Sequence, residues 1–165
     1  MSDFHPTVER IVTLLRSHSL WFETVEHQEV RTSEEAAAIR DGYTLHQGAK
    51  ALIVKITKRD KEKLFAMIVL PGDARFNSKT VKKYFDARDV IFATEEEVGQ
   101  ITNGVKPGGV PPFGNLFSLS VYMDKTMLEN EKIVFNAGDR RFSIGMFLKD
   151  YVTLVKPVIA DVTSL

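Results

Sequence analysis

Lys50-Ala51-Leu52-Ile53-Val54-Lys55-Ile56-Thr57-Lys58, then Arg59-Asp60-Lys61-Glu62-Lys63, then Leu64-Phe65-Ala66-Met67-Ile68-Val69-Leu70: two apolar, β-branched runs flank a short charged tip. Alternation places Lys50, Leu52, Val54 and Ile56 on one face and Ala51, Ile53, Lys55 and Thr57 on the other. The pattern predicts a β-hairpin that ends at the turn Pro71-Gly72-Asp73. Lys50 stands at the start of its strand, on an otherwise apolar face.

Helices and further strands surround this hairpin. Val8, Ile11, Val12, Leu14 and Leu15 recur at helical spacing after Pro6, which predicts an amphipathic helix over residues 6 to 18. Residues 21 to 25 read as a strand. Thr32 and Glu35 have capping-box spacing before a short helix that ends near Gly42. Asn77 caps a helix through about Phe85, and Val90 to Ala93 reads as a short buried strand. Thr94 and Glu97 repeat the capping-box spacing, and Asn103-Gly104 closes that helix. Leu116 to Tyr122, Lys132 to Asn136 and Phe142 to Met146 read as strands, the last two joined by a turn at Ala137-Gly138-Asp139-Arg140-Arg141. A final helix over residues 148 to 155 stops before Pro157.

Hairpins mixed with short helices predict an α+β fold: one domain over residues 1 to 165, its mixed sheet curved or partly closed into a barrel and surrounded by short helices. A chain of 165 residues, 44% of them hydrophobic, can bury one substantial core. No apolar run has bilayer-spanning length, so the expected address is cytoplasmic, with no membrane partner. Lys plus Arg equals Asp plus Glu at 22 each, which disfavours tight autonomous binding of polyanions. Local basic clusters, among them Lys79, Lys82 and Lys83 and the pair Arg140 and Arg141, read as solvated faces.

Chemistry has few places to reside. There is no cysteine, so disulfides, thiolate nucleophiles and sulfur-ligated metals are excluded. Histidines 5, 18, 27 and 46 lack the spacing of a helical metal pair, and no metal or other cofactor is expected. Nucleophile-elbow, phosphate-loop and dinucleotide glycine patterns are all missing. What remains is the loop Gly108-Gly109-Val110-Pro111-Pro112-Phe113-Gly114. Its glycines open unusual backbone angles, while its prolines fix φ and push Val110 and Pro111 into extended geometry. The backbone donors left to it belong to Gly108, Gly109, Val110, Phe113, Gly114 and Asn115, a cradle suited to a polarised carbonyl oxygen. By spacing alone Lys50 could instead snorkel to solvent or pair with a carboxylate, the loop could be a rigid connector, and His27 could be purely structural.

In order and separation, Glu26-His27, Lys50-Ala51-Leu52-Ile53-Val54, the G-x-x-x-P element from Gly108 to Pro112 with Phe113-Gly114, and Asn136-Ala137-Gly138-Asp139-Arg140 resemble the YbaK family. These are free-standing relatives of the editing domain inserted in bacterial-type prolyl-tRNA synthetase, and the resemblance runs from about residue 25 to 151. It implies a trans-editing hydrolase that cleaves the ester between a wrong, small amino acid and the acceptor end of a tRNA, tRNA(Pro) or a related one. Catalytic roles would fall to Lys50, which holds the tRNA end, and to Gly108, Gly109, Val110, Pro111 and Pro112, which position the carbonyl. Substrate-binding roles would fall to Val25, His27, Ala51, Phe113, Gly114, Asn136, Gly138 and Ser143. The alternative is a non-catalytic accessory module of the same fold that docks on tRNA, a synthetase or a multi-protein complex.

Departures from the family pattern concern the amino-acid side. Ala51 stands where relatives acting on cysteinyl-tRNA often carry threonine, Ser143 where a carboxylate often follows the Gly-x-Arg turn, and Val25 where a tyrosine is common. The admitted amino acid is therefore expected to differ from that of the best-known members, within the small class that double-sieve logic favours.

Overall fold

The computed structural model describes residues 3–30 and 32–163. Its helices are α1 (Pro6–Ser17), α2 (Ser33–Ile39), α3 (Ser78–Tyr84), α4 (Glu95–Thr102) and α5 (Leu148–Val155). Its strands are β1 (Phe22–Glu26), β2 (Ala49–Lys58), β3 (Lys63–Pro71), β4 (Ala87–Phe92), β5 (Val121–Asp124), β6 (Lys132–Asp139), β7 (Phe142–Phe147) and β8 (Val158–Ala160). The fold is α+β, as expected, but the strands divide between two sheets. An antiparallel sheet has the order β1-β7-β6, and a mixed sheet has the order β4-β2-β3-β5-β8, with β5 parallel to both β3 and β8. A single bridge between Gly48 and Val134 ties the two together at the start of β2.

Strand β2 explains the arrangement, because both of its faces are buried. Ala49, Ala51 and Ile53 join the main core with the apolar stripe of α1 (Val8, Ile11, Val12, Leu15) and with Phe113, Phe135 and Tyr151. Val54 and Ile56 point the other way, into a smaller core with Ala66, Ile68, Leu70 and Val81. Each Val, Leu, Ile or Phe side chain among these, removed from water, contributes about 1.5–3 kcal/mol before entropy is counted. The β2–β3 register pairs Lys50 with Leu70 and Thr57 with Lys63, so the charged tip forms the turn as the sequence reading expects.

Local signals place the helices. Pro6 opens α1, and His5 Nδ1 accepts from the Thr7 N–H at 3.1 Å. Thr32 Oγ1 accepts from the Glu35 N–H at 3.0 Å, while Thr94 and Glu97 make both halves of a capping box on α4. Asn103, left-handed at φ 59°, closes α4.

Three expectations need correction. Residues 114 to 117 form a 3-10 turn rather than the start of a strand, because Leu116 N–H bonds Phe113 O and Ser118 turns left-handed at φ 56°. Strand β4 is longer than the expected Val90–Ala93 and is buried on one side only: it lies at the sheet edge, where Ala87 and Val90 join the smaller core while Ile91 and Phe92 are exposed. Pro157 ends α5, but the chain then pairs again as β8. Among the described residues no helix is long and apolar enough to cross a membrane.

Candidate functional site

A cavity of about 360 Å³ opens where β2, α2, the 107–110 turn and β6 converge. This volume lies in the range of small-molecule sites. Gly48, Lys50 and Ala51 line it from the start of β2, Pro107, Gly108 and Val110 from the loop, and Arg40, Asn136 and Arg140 are among the polar side chains that also reach it. The structure therefore brings the strand lysine and the glycine/proline loop to one hollow.

The loop is held by its carbonyls. Pro107 O accepts from Arg140 Nε at 2.8 Å and also from Nη2 of the same guanidinium; Gly108 O accepts from Asn136 Nδ2 at 2.8 Å; Gly109 O accepts from the Gly138 N–H at 2.9 Å. Three consecutive carbonyls thus bond to one segment, residues 136 to 140 at the end of β6. That alignment requires Gly108 at φ +87°, a conformation costly for any residue with a Cβ. Arg140 also fills the space beneath the turn: a Cβ on Gly108 would lie 3.4 Å from its Nε. With the carbonyls taken, the N–H groups of Gly108 and Val110 meet no acceptor among the described residues, whereas the Gly109 N–H is used by Lys106 O. Two backbone donors at the cavity wall are thereby left for a ligand oxygen.

The second half of the loop serves a different purpose. Pro111, Pro112, Phe113 and Gly114 are buried and do not line the cavity. Pro112 O accepts from the buried Tyr151 hydroxyl at 2.5 Å, Phe113 packs its ring on Phe135 and Tyr151, and a Cβ on Gly114 would lie 2.6 Å from Val121 Cγ2. The diproline segment anchors the loop in the core, and all its peptide bonds are trans. The donors expected from Phe113, Gly114 and Asn115 therefore lie off the cavity wall, because this stretch turns inward to satisfy the core.

Lys50 is half-buried, and its Nζ donates to Ala74 O at 3.1 Å. Burial lowers its pKa, opposed by the charges of Glu34 and Asp73. No carboxylate lies within ion-pair distance of it among the described residues. The ammonium thus sits at the cavity with one neutral partner and two donors to spare.

His27, Asn136 and Ser143 form one network with a residue the sequence reading did not single out, Arg40. Ser143 Oγ lies 2.7 Å from His27 Nε2, accepts from Arg40 Nε at 3.0 Å and donates to Asn136 Oδ1 at 3.2 Å. Arg40 Nη2 donates to that same Asn136 oxygen at 2.9 Å. Desolvation lowers the pKa of His27, opposed by its bond to the Gln28 carbonyl, and the ring lies behind the cavity rather than on its wall. Register explains the proximity, since Ser143 faces Val25 on β1 and Asn136 on β6. Val25 itself does not reach the cavity, and Gly138 faces a neighbouring cleft with Gly109 and His5. Arg140 corrects the expectation of a solvated basic face: its guanidinium is spent on the loop.

Residues 27–154 match the family model for the aminoacyl-tRNA editing domain. The proline–tRNA ligase of Sulfurihydrogenibium sp. (strain YO3AOP1) is 32% identical over 93 residues, 56% of this chain and 15% of that protein. The ligase of Bacillus licheniformis is 33% identical over 95 residues, 58% of this chain and again 15% of the ligase. The chain thus spans about one-seventh of the curated relatives it matches. Among solved structures, a candidate trans-editing enzyme for prolyl tRNA synthetase superposes with TM-score 0.80 at 23% identity, covering 98% of this chain and 99% of the other, a likeness of fold. On the match over residues 27–154, this chain belongs to the aminoacyl-tRNA editing domain family, which includes YbaK and the editing domain of prolyl-tRNA synthetase.

Proposed function

We propose that the protein is a free-standing deacylase that hydrolyses the ester between a misattached small amino acid and the terminal ribose of a tRNA, tRNA(Pro) or a related one, in the cytoplasm. The observation that carries this reading is the pinning of the Pro107, Gly108 and Gly109 carbonyls, which leaves the Gly108 and Val110 N–H groups beside a cavity that also holds Lys50. In the reaction a water oxygen adds to the ester carbonyl carbon, and the carbonyl oxygen becomes an oxyanion received by the two N–H groups. The tetrahedral species collapses by breaking the bond to the ribose oxygen, which takes a proton. The products are the free amino acid, the tRNA hydroxyl and one released proton.

An aminoacyl ester is an activated bond, so orientation and oxyanion stabilisation suffice without a side-chain nucleophile; one preorganised donor contributes about 3 kcal/mol. Lys50 is assigned to a phosphate of the acceptor end, an anion that fits a half-buried ammonium with spare donors. Asn136 and Arg140 are positioning residues for the loop, and His27 orients Ser143. The test is a panel of mischarged tRNAs followed for loss of the amino acid. Lys50→Ala should raise KM sharply while the fold is retained. An inert wild-type protein across the panel would refute the assignment.

A further inference from the structure

Among the described residues three cationic side chains line the cavity, Arg40, Lys50 and Arg140, and no Asp or Glu does. Two of the three have carboxylates near enough to act on their charge. Arg140 is spent on Pro107 O and lies 3.7 Å from Glu29 Oε1, and Lys50 has the charges of Glu34 and Asp73 nearby. Arg40 differs. It is only 7% exposed, yet both of its hydrogen-bond acceptors, Ser143 Oγ and Asn136 Oδ1, are neutral. No carboxylate among the described residues pairs with it, and desolvation alone lowers its pKa, to about 10. A guanidinium carries five N–H donors; Nε and one N–H of Nη2 are used, so both N–H groups of Nη1 and one of Nη2 are left. Nη1 faces Gly48, where a Cβ would come within 3.7 Å of it, so the bare glycine keeps this edge of the guanidinium open to the cavity.

A buried guanidinium without a counter-ion is a costly arrangement that a carboxylate relieves, and Arg presents the fork that a carboxylate fits. Charge counting agrees. An aminoacyl ester brings an α-ammonium into a hollow that is already cationic, and the terminal phosphate is taken up by Lys50. We propose that Arg40 receives a carboxylate on the side chain of the acyl group, so that the preferred substrate is an ester of a short acidic amino acid, of aspartyl size. This rests on the deacylase reading and names the substrate class of the same site.

The experiment compares hydrolysis of aspartyl, asparaginyl and alanyl esters on one tRNA by wild type, Arg40→Gln and Ser143→Asp. Wild type should favour the aspartyl over the alanyl ester at least tenfold in kcat/KM, with asparaginyl between. Ser143→Asp supplies Arg40 with an internal counter-ion and Arg40→Gln removes the cation, so each should bring the aspartyl-to-alanyl ratio to about one. A wild-type preference for alanyl, or a ratio unmoved in both variants, would overturn the proposal. So would inhibition by millimolar inorganic phosphate that disappears in Arg40→Gln, since that assigns Arg40 to a phosphate. Binding of non-hydrolysable 3′-amide analogues, aspartyl against alanyl adenosine, reads the same preference without turnover. A protein that binds the aspartyl amide preferentially but cleaves no ester refutes the deacylase reading alone.

Discussion

Replacing Asn136 by Asp tests whether the loop is positioned or merely packed. The side chain keeps its size, but Nδ2, which donates to Gly108 O at 2.8 Å, becomes a carboxylate oxygen facing that carbonyl. One neutral hydrogen bond is lost, about 1 kcal/mol. Oδ1 gains charge against Arg40 Nη2 at 2.9 Å, a charge-assisted bond worth about 1.5–3 kcal/mol that offsets the loss. Stability should therefore change little, with Tm within about 4 °C of wild type. Activity should not be spared, because the repelled Gly108 carbonyl rotates its peptide units and takes the neighbouring N–H groups off the oxyanion position. Losing one such donor costs about 3 kcal/mol, or roughly 10²-fold in kcat. Single-turnover deacylation of a mischarged tRNA beside a thermal melt separates the two quantities. A rate within threefold of wild type at unchanged Tm would refute the claim that Asn136 aims the loop.

Other outcomes follow from the same geometry. Gly138→Ala places a Cβ 2.6 Å from Thr7 Cβ at a residue with φ +105°, so denaturant unfolding should show a loss of about 2 kcal/mol or more; an unchanged midpoint would contradict the packing of α1 on β6. Tyr151→Phe leaves the buried Pro112 carbonyl without its donor and should cost about 1–3 kcal/mol by chemical denaturation. His46 has its pKa raised, first by its hydrogen bond to Asp73 and further by Glu129, against an opposing desolvation. Because the folded value lies above the unfolded one near 6.5, this clamp contributes fully below about pH 6.5 and is lost as pH rises through the folded pKa. His46→Gln should flatten that limb of the stability profile, and an identical profile would remove the clamp from the account.

What was legible in the sequence was whatever depends on neighbours along the chain. The β2–β3 hairpin, the caps at Thr32 and Thr94 and the left-handed stop at Asn103 are written in alternation and in residue type a few positions apart. Gly108, Val110, Lys50 and Asn136 were legible as a set only through the spacing of family motifs. Arg40 was not, because it follows an alanine-rich helix like any basic C-terminal residue, and its burial depends on β6 and β7 about a hundred residues later. The nearest signal was Ser143 itself: a small hydroxyl in place of a carboxylate implies that some cation nearby lacks its usual partner. Phe113 and Gly114 misled for the opposite reason, since a glycine/proline loop advertises backbone freedom without saying which half faces solvent. Tyr151, 39 positions away, decides that by drawing Pro112 into the core.

Backbone N–H groups can serve a ligand oxygen only where no protein acceptor takes them up and the peptides that carry them are held in place. The end of β6 and the residue after it hold the loop's carbonyls by three chemically different means: a guanidinium, a side-chain amide and a glycine N–H. Together they hold the loop's peptides in place, and Gly108 supplies the positive φ this needs without the cost a Cβ would bring. The arrangement also couples specificity to catalysis. Arg40, argued above to hold the acyl side chain, shares the Asn136 oxygen whose partner nitrogen fixes Gly108. If an acyl group engages Arg40, its hold is transmitted through Asn136 to the loop carbonyl, and discrimination between esters should then appear in kcat as well as in KM; discrimination confined to KM would refute the coupling.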